Sequence, residues 1–335
     1  MRLAVISARE VDHGTFWRNV APPLEDALAS HPDATLVVAP PFRRPTLDPR
    51  RPAWLAAIRV VRRADAVFWR QLHIRPPGPV WALAYVRPRA KRAAMVLDAW
   101  PATYCHLVVY AKAQRLSHCF VNFRSSVFAL KNIAPSRHFE WLPFAANDRV
   151  FRDLGLERDV YAFWVGRRHE PFHRALIEYC SRRGLVYEFL EPPGYPMPLD
   201  ELSHLAARSR YFITLPPDLG DPLRTGGLSP MSLRYLEGAA SGCRLLGASP
   251  RSGDLDVMLP PESLVECALD ASDLAEVLDR ADADPDFEAK RVAARDRVHE
   301  LHTWDRRAAW IHARLRGGPE HPLDRVDPPP PAIDA

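Results

Sequence analysis

The sequence predicts an α/β protein made of two mostly parallel sheets, each covered on both faces by helices. Three observations carry this. Short apolar runs alternate with amphipathic stretches along the chain, the alternation starts afresh after about residue 150, and 335 residues exceed what one ordinary core supports. The expected division is residues 1–148, residues 149–300, a closing helix over 301–316 and a disordered tail over 317–335.

In the first series, "RLAVIS" (2–7) is a strand by its unbroken apolar run. "TFWRNVAPPLEDALAS" (15–30) has helical spacing interrupted at Pro22-Pro23, and "ATLVVAP" (34–40) is the second strand. A helix at about 52–63 leads into the strand "ADAVFWRQ" (64–71), and a further helical stretch precedes "RAAMVLDAW" (92–100). "SHCFVNF" (117–123) and "HFEWLPF" (138–144) complete the series.

The second series opens with the strand "DVYAFWVG" (159–166), the helix "EPFHRALIEYCSRRG" (170–184) and the strand "LVYEFLEP" (185–192). A helix near 199–208 and the strand "RYFITLPP" (210–217) follow, then a helix opening at Ser229, the strand "CRLLGAS" (243–249) and helices at about 272–281 and 285–316. Helical crossovers between strands let those strands run parallel with both faces covered. The tail from Gly317 is proline-rich and charged, with too little to bury to offset the cost of ordering it.

Composition narrows the function classes. Hydrophobic residues make up 47% of the chain and charged residues 26%, enough of each for a buried core under a solvated surface. No apolar run approaches the roughly 20 residues that span a bilayer, and "MRLAVISARE" turns polar too early for a secretory leader, so a cytosolic location is expected. The cysteines (105, 119, 180, 243 and 267) form no CxxC pair, which argues against a zinc site, a redox pair or a disulfide framework. The acidic runs "DADPD" (282–286) and "DLD" (254–256) read as turns, and no metal is assigned.

Residues 1–150 hold 22 Lys/Arg against 10 Asp/Glu, and residues 151–335 hold 23 against 31. The basic half fits an acidic acceptor or an anionic membrane surface, and equally a solvated arginine-rich face. No nucleic-acid-binding signature accompanies it.

Parallel α/β sheets take ligands beyond the carboxyl ends of their strands, where helix amino ends direct N–H groups outward. The segment "PPDLGDPLRTGGLSP" (216–230) follows a strand there, and Gly226 and Gly227 let the backbone approach a ligand. Ser229 suits a helix cap with Pro230 at the first position, leaving the N–H groups of Met231 and Ser232 for an anion such as a phosphate. Glu237, almost two turns on, suits hydroxyls such as those of a ribose. Arg234 shares its face three residues earlier, and the two read equally as a helix-surface ion pair.

"LRYLEGAASGCRLLGAS" (233–249) resembles the donor-site helix of group 1 glycosyltransferases of GT-B fold (family 4-like), in which two Rossmann-like domains face each other across a cleft. "YAFWVGRRHEPFHRALI" (161–177) is similar to the family's first strand of the second domain, with Gly166 and a basic residue at its end. "WLPFAANDRVF" (141–151) resembles its interdomain crossover, and "LHTWDRRAAWIHARL" (301–315) the closing helix of the spore-maturation (CgeB-type) branch.

The resemblance implies a nucleotide-diphosphate sugar bound by the second half and a hydroxyl-bearing acceptor (small molecule, glycan or peptide) in the first. Glu237 would bind the donor ribose, the amides from Ser229 to Ser232 the sugar or pyrophosphate, and Arg167 the diphosphate, with Arg174 as a further basic candidate. Fixed N–H dipoles and Arg stabilise a departing diphosphate without a metal, and no cofactor beyond the donor is expected.

Many retaining members carry a second glutamate eight residues before the first, where this chain has Ser229. That departure leaves open a catalytically inactive nucleotide-sugar-binding or partner-binding protein, and a sugar-nucleotide epimerase of the same fold. In the first half, "REVDHGTFWRN" (9–19) follows the first strand, making Asp12 and His13 candidates to orient or deprotonate the acceptor hydroxyl. In a retaining reaction the leaving phosphate takes that proton and His13 only positions the acceptor. Asp98 is a further candidate, or a helix cap, and Trp17 and Trp100 are candidate aromatic platforms.

Overall fold

The computed structural model describes residues 1–7, 20–39, 52–72, 83–190 and 198–319. By internal contacts the chain forms two compact units, Met1–Pro143 with Trp304–Ala335, and Phe144–Thr303. The expectation of a disordered tail falls mostly on residues outside the described ones.

In the first unit β1 (Leu3–Ser7), β2 (Ala34–Val38), β3 (Ala66–Leu72), β4 (Lys91–Leu97), β5 (His118–Val121) and β6 (Phe139–Trp141) form one sheet in the order β2-β1-β3-β4-β5-β6. Every pairing is parallel. The helices are α1 (Ala21–Ala29), α2 (Pro52–Arg63), α3 (Tyr104–Ala113) and α4 (Arg124–Ile133). The inner strands read as unbroken apolar runs because helices cover both faces: Val5, Phe68, Ala94 and Met95 are fully buried. Pro22 and Pro23 do not interrupt a helix. They stand in the first turn of α1, where a missing N–H costs nothing.

The helix expected over 285–316 is two helices, α12 (Phe287–Leu301) and α13 (Trp304–Leu315). His302 leaves helical geometry at φ −122 and ψ 38, and Thr303 forms a bridge to Ala146 instead. α13 packs in the first unit. Its His312 ring stacks on His31 at 4.3 Å, Arg314 Nε donates to Glu140 Oε2 (2.6 Å), Arg307 Nε donates to the Pro143 carbonyl (3.0 Å), and Lys91 Nζ donates to the Leu315 carbonyl (2.8 Å).

In the second unit β7 (Val160–Val165), β8 (Tyr187–Leu190), β9 (Ser209–Thr214), β10 (Arg244–Gly247) and β11 (Leu264–Glu266) form a parallel sheet in the order β11-β10-β9-β7-β8. The helices are α5 (Glu170–Arg183), α6 (Leu199–Ala207), the short turns α7 (Pro217–Gly220) and α8 (Pro222–Thr225), α9 (Leu233–Ala240), α10 (Asp254–Met258), α11 (Leu274–Asp282) and α12. Tyr161, Trp164, Phe172, Tyr211 and Leu246 lie in one core cluster, each contributing about 1.5–3 kcal/mol by burial.

The run of small residues in α9 has a packing cause. A Cβ on Gly238 would sit 2.7 Å from the Phe212 ring, so only glycine lets α9 lie this close to β9. Of the cysteines only Cys105 is exposed; burial pushes the Cys267 thiol up to about 12 and the Cys243 thiol up to about 11. Among the described residues, no helix is long and apolar enough to cross a membrane.

Candidate functional site

In the second unit the chain runs from β7 outward to β8, then returns and builds β9, β10 and β11 on the other side. The order therefore reverses between β7 and β9, the position at whose carboxyl ends open α/β sheets take their ligands. The loop after β7 carries Gly166 and Arg167. The loop after β9 carries residues 215–232, and the loop after β10 carries 248–253.

These loops are tied together by arginine–carboxylate pairs. Arg167 Nη1 lies 3.1 Å from Asp221 Oδ2, and Arg224 Nε lies 3.0 Å from the same oxygen. Asp221 also accepts the Arg224 backbone N–H (3.3 Å), which caps α8. Arg251, just past β10, reaches Asp218 Oδ2 (3.0 Å) and the Gly227 carbonyl (3.4 Å), while its backbone N–H donates to Ser229 Oγ (3.3 Å). Gly227 takes φ 81, and a Cβ there would meet none of the described residues.

The helix start differs from the expectation. α9 begins at Leu233 with Ser232 at the cap position, not at Ser229. Ser229 is buried in the preceding loop, where its carbonyl accepts the Ser252 N–H (3.1 Å). The Met231 N–H is not left for an anion, because it donates to Asp254 Oδ2 (3.3 Å). Competition explains the shift: the buried Asp254 carboxylate draws this amide into the loop before helical geometry sets in.

Glu237 is 1% exposed and its carboxylate pairs with the Arg234 guanidinium. The pair is therefore a part-buried one held within α9, with the carboxylate buried and the guanidinium partly exposed. Arg174 lies on α5, 77% exposed, with Nε on Glu170 Oε1 at 2.7 Å.

In the first unit the strand order reverses between β1 and β3. Asp12, His13 and Trp17 follow β1 and lie outside the described residues. Asp98 ends β4 at φ 56, a left-handed conformation uncommon for a non-glycine residue and costing about 1–3 kcal/mol. Its N–H donates to Asn122 Oδ1 (3.1 Å) and its carbonyl accepts the Trp100 N–H (3.0 Å). It is not the cap of the 3-10 turn Pro101–Thr103, which starts from Trp100 without a side-chain cap. The Trp100 ring is buried against Phe123 at 4.4 Å and offers no open platform.

A shallow polar recess lined by Met1, Asp33, Asp65, Lys91, Leu315 and Arg316 lies at the amino ends of the first sheet's strands. That is the edge away from the loops after β1 and β3, and its charges are engaged with one another, as in Arg316 on Asp33 at 2.6 Å. The acidic runs resolve similarly: Asp282 accepts from Tyr161, Tyr211 and Arg210, and Asp284 from Lys290. Sequence reasoning passed over Asp218, Asp221, Arg224, Arg251 and Ser252. Their signal was position, since "DLGD" and "PRSGD" each follow a strand's carboxyl end.

Residues 192–313 match the family model described as glycosyl transferase-like. No curated protein sequence matches the chain. Among solved structures, sucrose-phosphate synthase from Thermosynechococcus elongatus is similar, with a TM-score of 0.60 at 14% identity over 95% of this chain and 98% of that one. A glycosyltransferase from Rickettsia africae gives 0.56 at 11% identity over 94% and 98%. The UDP-forming α,α-trehalose-phosphate synthase from Burkholderia vietnamiensis gives 0.55 at 13% over 96% and 98%. The matched region includes Asp218, Glu237 and Arg251, and both parallel sheets have the architecture of these structures. The chain has the two Rossmann-like parallel sheets of the GT-B fold, and its residues 192–313 match a glycosyl transferase-like domain.

Proposed function

We propose that the second unit binds a nucleotide-diphosphate sugar and that the enzyme transfers its sugar to a hydroxyl-bearing acceptor, with retention and without a metal. One observation carries the reading: a carboxylate buried in α9, Glu237, stands on the helix that follows an arginine-clasped glycine loop at the sheet's reversal point. An acceptor-only group of this kind suits ribose hydroxyls, and Arg167 suits the diphosphate. Arg167 is 52% exposed and its pairing with Asp221 is worth little in water, so it can turn to a phosphate at small cost. The UDP-forming neighbour supports a nucleotide leaving group.

In the transfer, the acceptor oxygen bonds to the anomeric carbon as the carbon–phosphate oxygen bond breaks. The departing phosphate oxygen takes the acceptor proton, and arginine and backbone N–H groups stabilise the charge that gathers there. Retention rests on the resemblance of residues 141–249 to group 1 enzymes, and the resemblance of residues 301–315 to the closing helix of the spore-maturation branch favours a member near that branch. Asp12, His13 and Asp98 remain the acceptor-side candidates, and a cytosolic site of action accompanies the reading.

A thermal-shift panel of UDP, GDP, ADP and dTDP tests it. One of the four should raise the melting temperature in a saturable way, and no response to any of them would overturn the donor assignment. Serine at position 229 favours a second reading, a binding protein without turnover. Slow donor hydrolysis in the absence of acceptor separates the two, and interconversion of free sugar nucleotide would point to an epimerase.

A further inference from the structure

Asp218 is 7% exposed and lies in α7, directly beyond the carboxyl end of β9. Its Oδ2 is held by Arg251 at 3.0 Å. Its Oδ1 is buried and receives no hydrogen bond from any described residue. Ser252, 6% exposed, likewise has a buried Oγ that no described residue bonds.

Contacts through Arg251 and Ser229 link the two residues. The Arg251 N–H donates to Ser229 Oγ and the Ser252 N–H to the Ser229 carbonyl, so residues 218, 229, 251 and 252 form one connected patch. Asp218 also faces α9: burial first, and the Asp218 charge second, push the Tyr235 hydroxyl above its ordinary range.

A buried carboxylate oxygen left without a donor is costly, and burial of this kind persists where a ligand supplies the donor. The ligand atom must be a donor, and a phosphate, which only accepts and repels a carboxylate, is excluded. Alcohol groups fit, since each donates to Asp218 and can exchange a hydrogen bond with Ser252. The ribose hydroxyls are already assigned to Glu237, which leaves those of the transferred sugar.

We propose that Asp218, braced by Arg251 and joined by Ser252, reads the hydroxyls of the donor's transferred sugar and supplies the carboxylate that position 229 lacks. The proposal rests on the donor reading above. It makes Asp218 a specificity residue of the sugar subsite and Arg251 a positioning residue that acts through it.

The probes are UDP, GDP, ADP and dTDP and the glucose, galactose and mannose derivatives of whichever binds, titrated by calorimetry. The quantity read is the gain in affinity that a sugar adds to its bare nucleotide. In Asp218→Asn and Asp218→Ala this gain should fall about tenfold or more, with affinity for the bare nucleotide changed less than threefold. Ser252→Ala removes a hydroxyl that bonds no described residue, so it should keep the melting temperature while losing part of the same gain.

Unchanged gain in the Asp218 variants, or equal loss for nucleotide and nucleotide sugar, would overturn the proposal and leave Asp218 a strut for Arg251. So would a wild-type protein to which none of the sugars adds affinity. Failure of every bare nucleotide to bind the wild type would instead strike the donor reading itself.

Discussion

Glu237 combines a structural pairing with the donor contact proposed for it. It is buried, so its charge would be costly without Arg234, yet the pair sits one helical turn apart where each holds the other's rotamer. Glu237→Gln keeps the volume and much of the hydrogen bonding but removes the charge. Donor affinity should drop about tenfold in calorimetry, with a melting temperature near that of the parent. Equal affinity in the two proteins would remove Glu237 from the donor site. Asp98 is the other residue to watch, because a left-handed aspartate at a strand's carboxyl end is held there by its neighbours at an energetic cost.

Among the elements, α11 illustrates attachment by a polar anchor. Asp282 at its end accepts from the Tyr161 hydroxyl (2.7 Å), the Tyr211 hydroxyl (2.8 Å) and Arg210 Nε (2.9 Å), which reach it from β7 and β9. Asp282→Ala strands two phenols whose ionisation burial already resists, and should cost about 2–3 kcal/mol in chemical denaturation. A loss below about 0.5 kcal/mol would show the anchor to be idle.

Most strands were legible because a strand covered on both faces must be apolar throughout, as in "YAFWV" and "AAMVL". Helix starts were less so. The sequence shows that Ser229 and Pro230 are good starters, but not that Asp254, 23 residues on, takes the Met231 amide and delays the helix. The break at His302-Thr303 was hidden for a similar reason, since the bridge to Ala146 comes from far along the chain. Glu237 and Arg167 are candidates by motif position, whereas the contact that joins Asp218 to Arg251 links two loops far apart in sequence and is seen only in the fold.

At the scale of the molecule, α13 makes the first unit sensitive to acid. Burial, followed by the nearby His31 and Arg316 charges, pushes the His312 imidazole down to about 4. The folded chain thus resists a proton that the unfolded chain takes up below about 6.5, and stability falls as pH drops from about 6.5 to about 4. Glu140 adds to this lower down. Burial alone would raise it, but hydrogen bonds from His118 and Arg314 hold it below the usual carboxylate range, so its contribution is lost as pH falls through that depressed value. Amide protection across α13 and α1, corrected for the intrinsic pH dependence of exchange, should fall between pH 7 and pH 5, and His312→Phe should blunt the change. Identical protection at both pH values would refute the coupling.

The second unit is one uninterrupted stretch, Phe144 to Thr303, and its two ends are clasped to each other where the Ala146 N–H meets the His302 carbonyl at 2.8 Å. A segment that leaves and rejoins its host at a single point behaves as a cassette: it can be lifted out or exchanged for a cognate one by splicing at two neighbouring residues, without rethreading the host. Swapping that insert between related chains is then a route by which recognition of the proposed donor can change while the host domain is inherited intact.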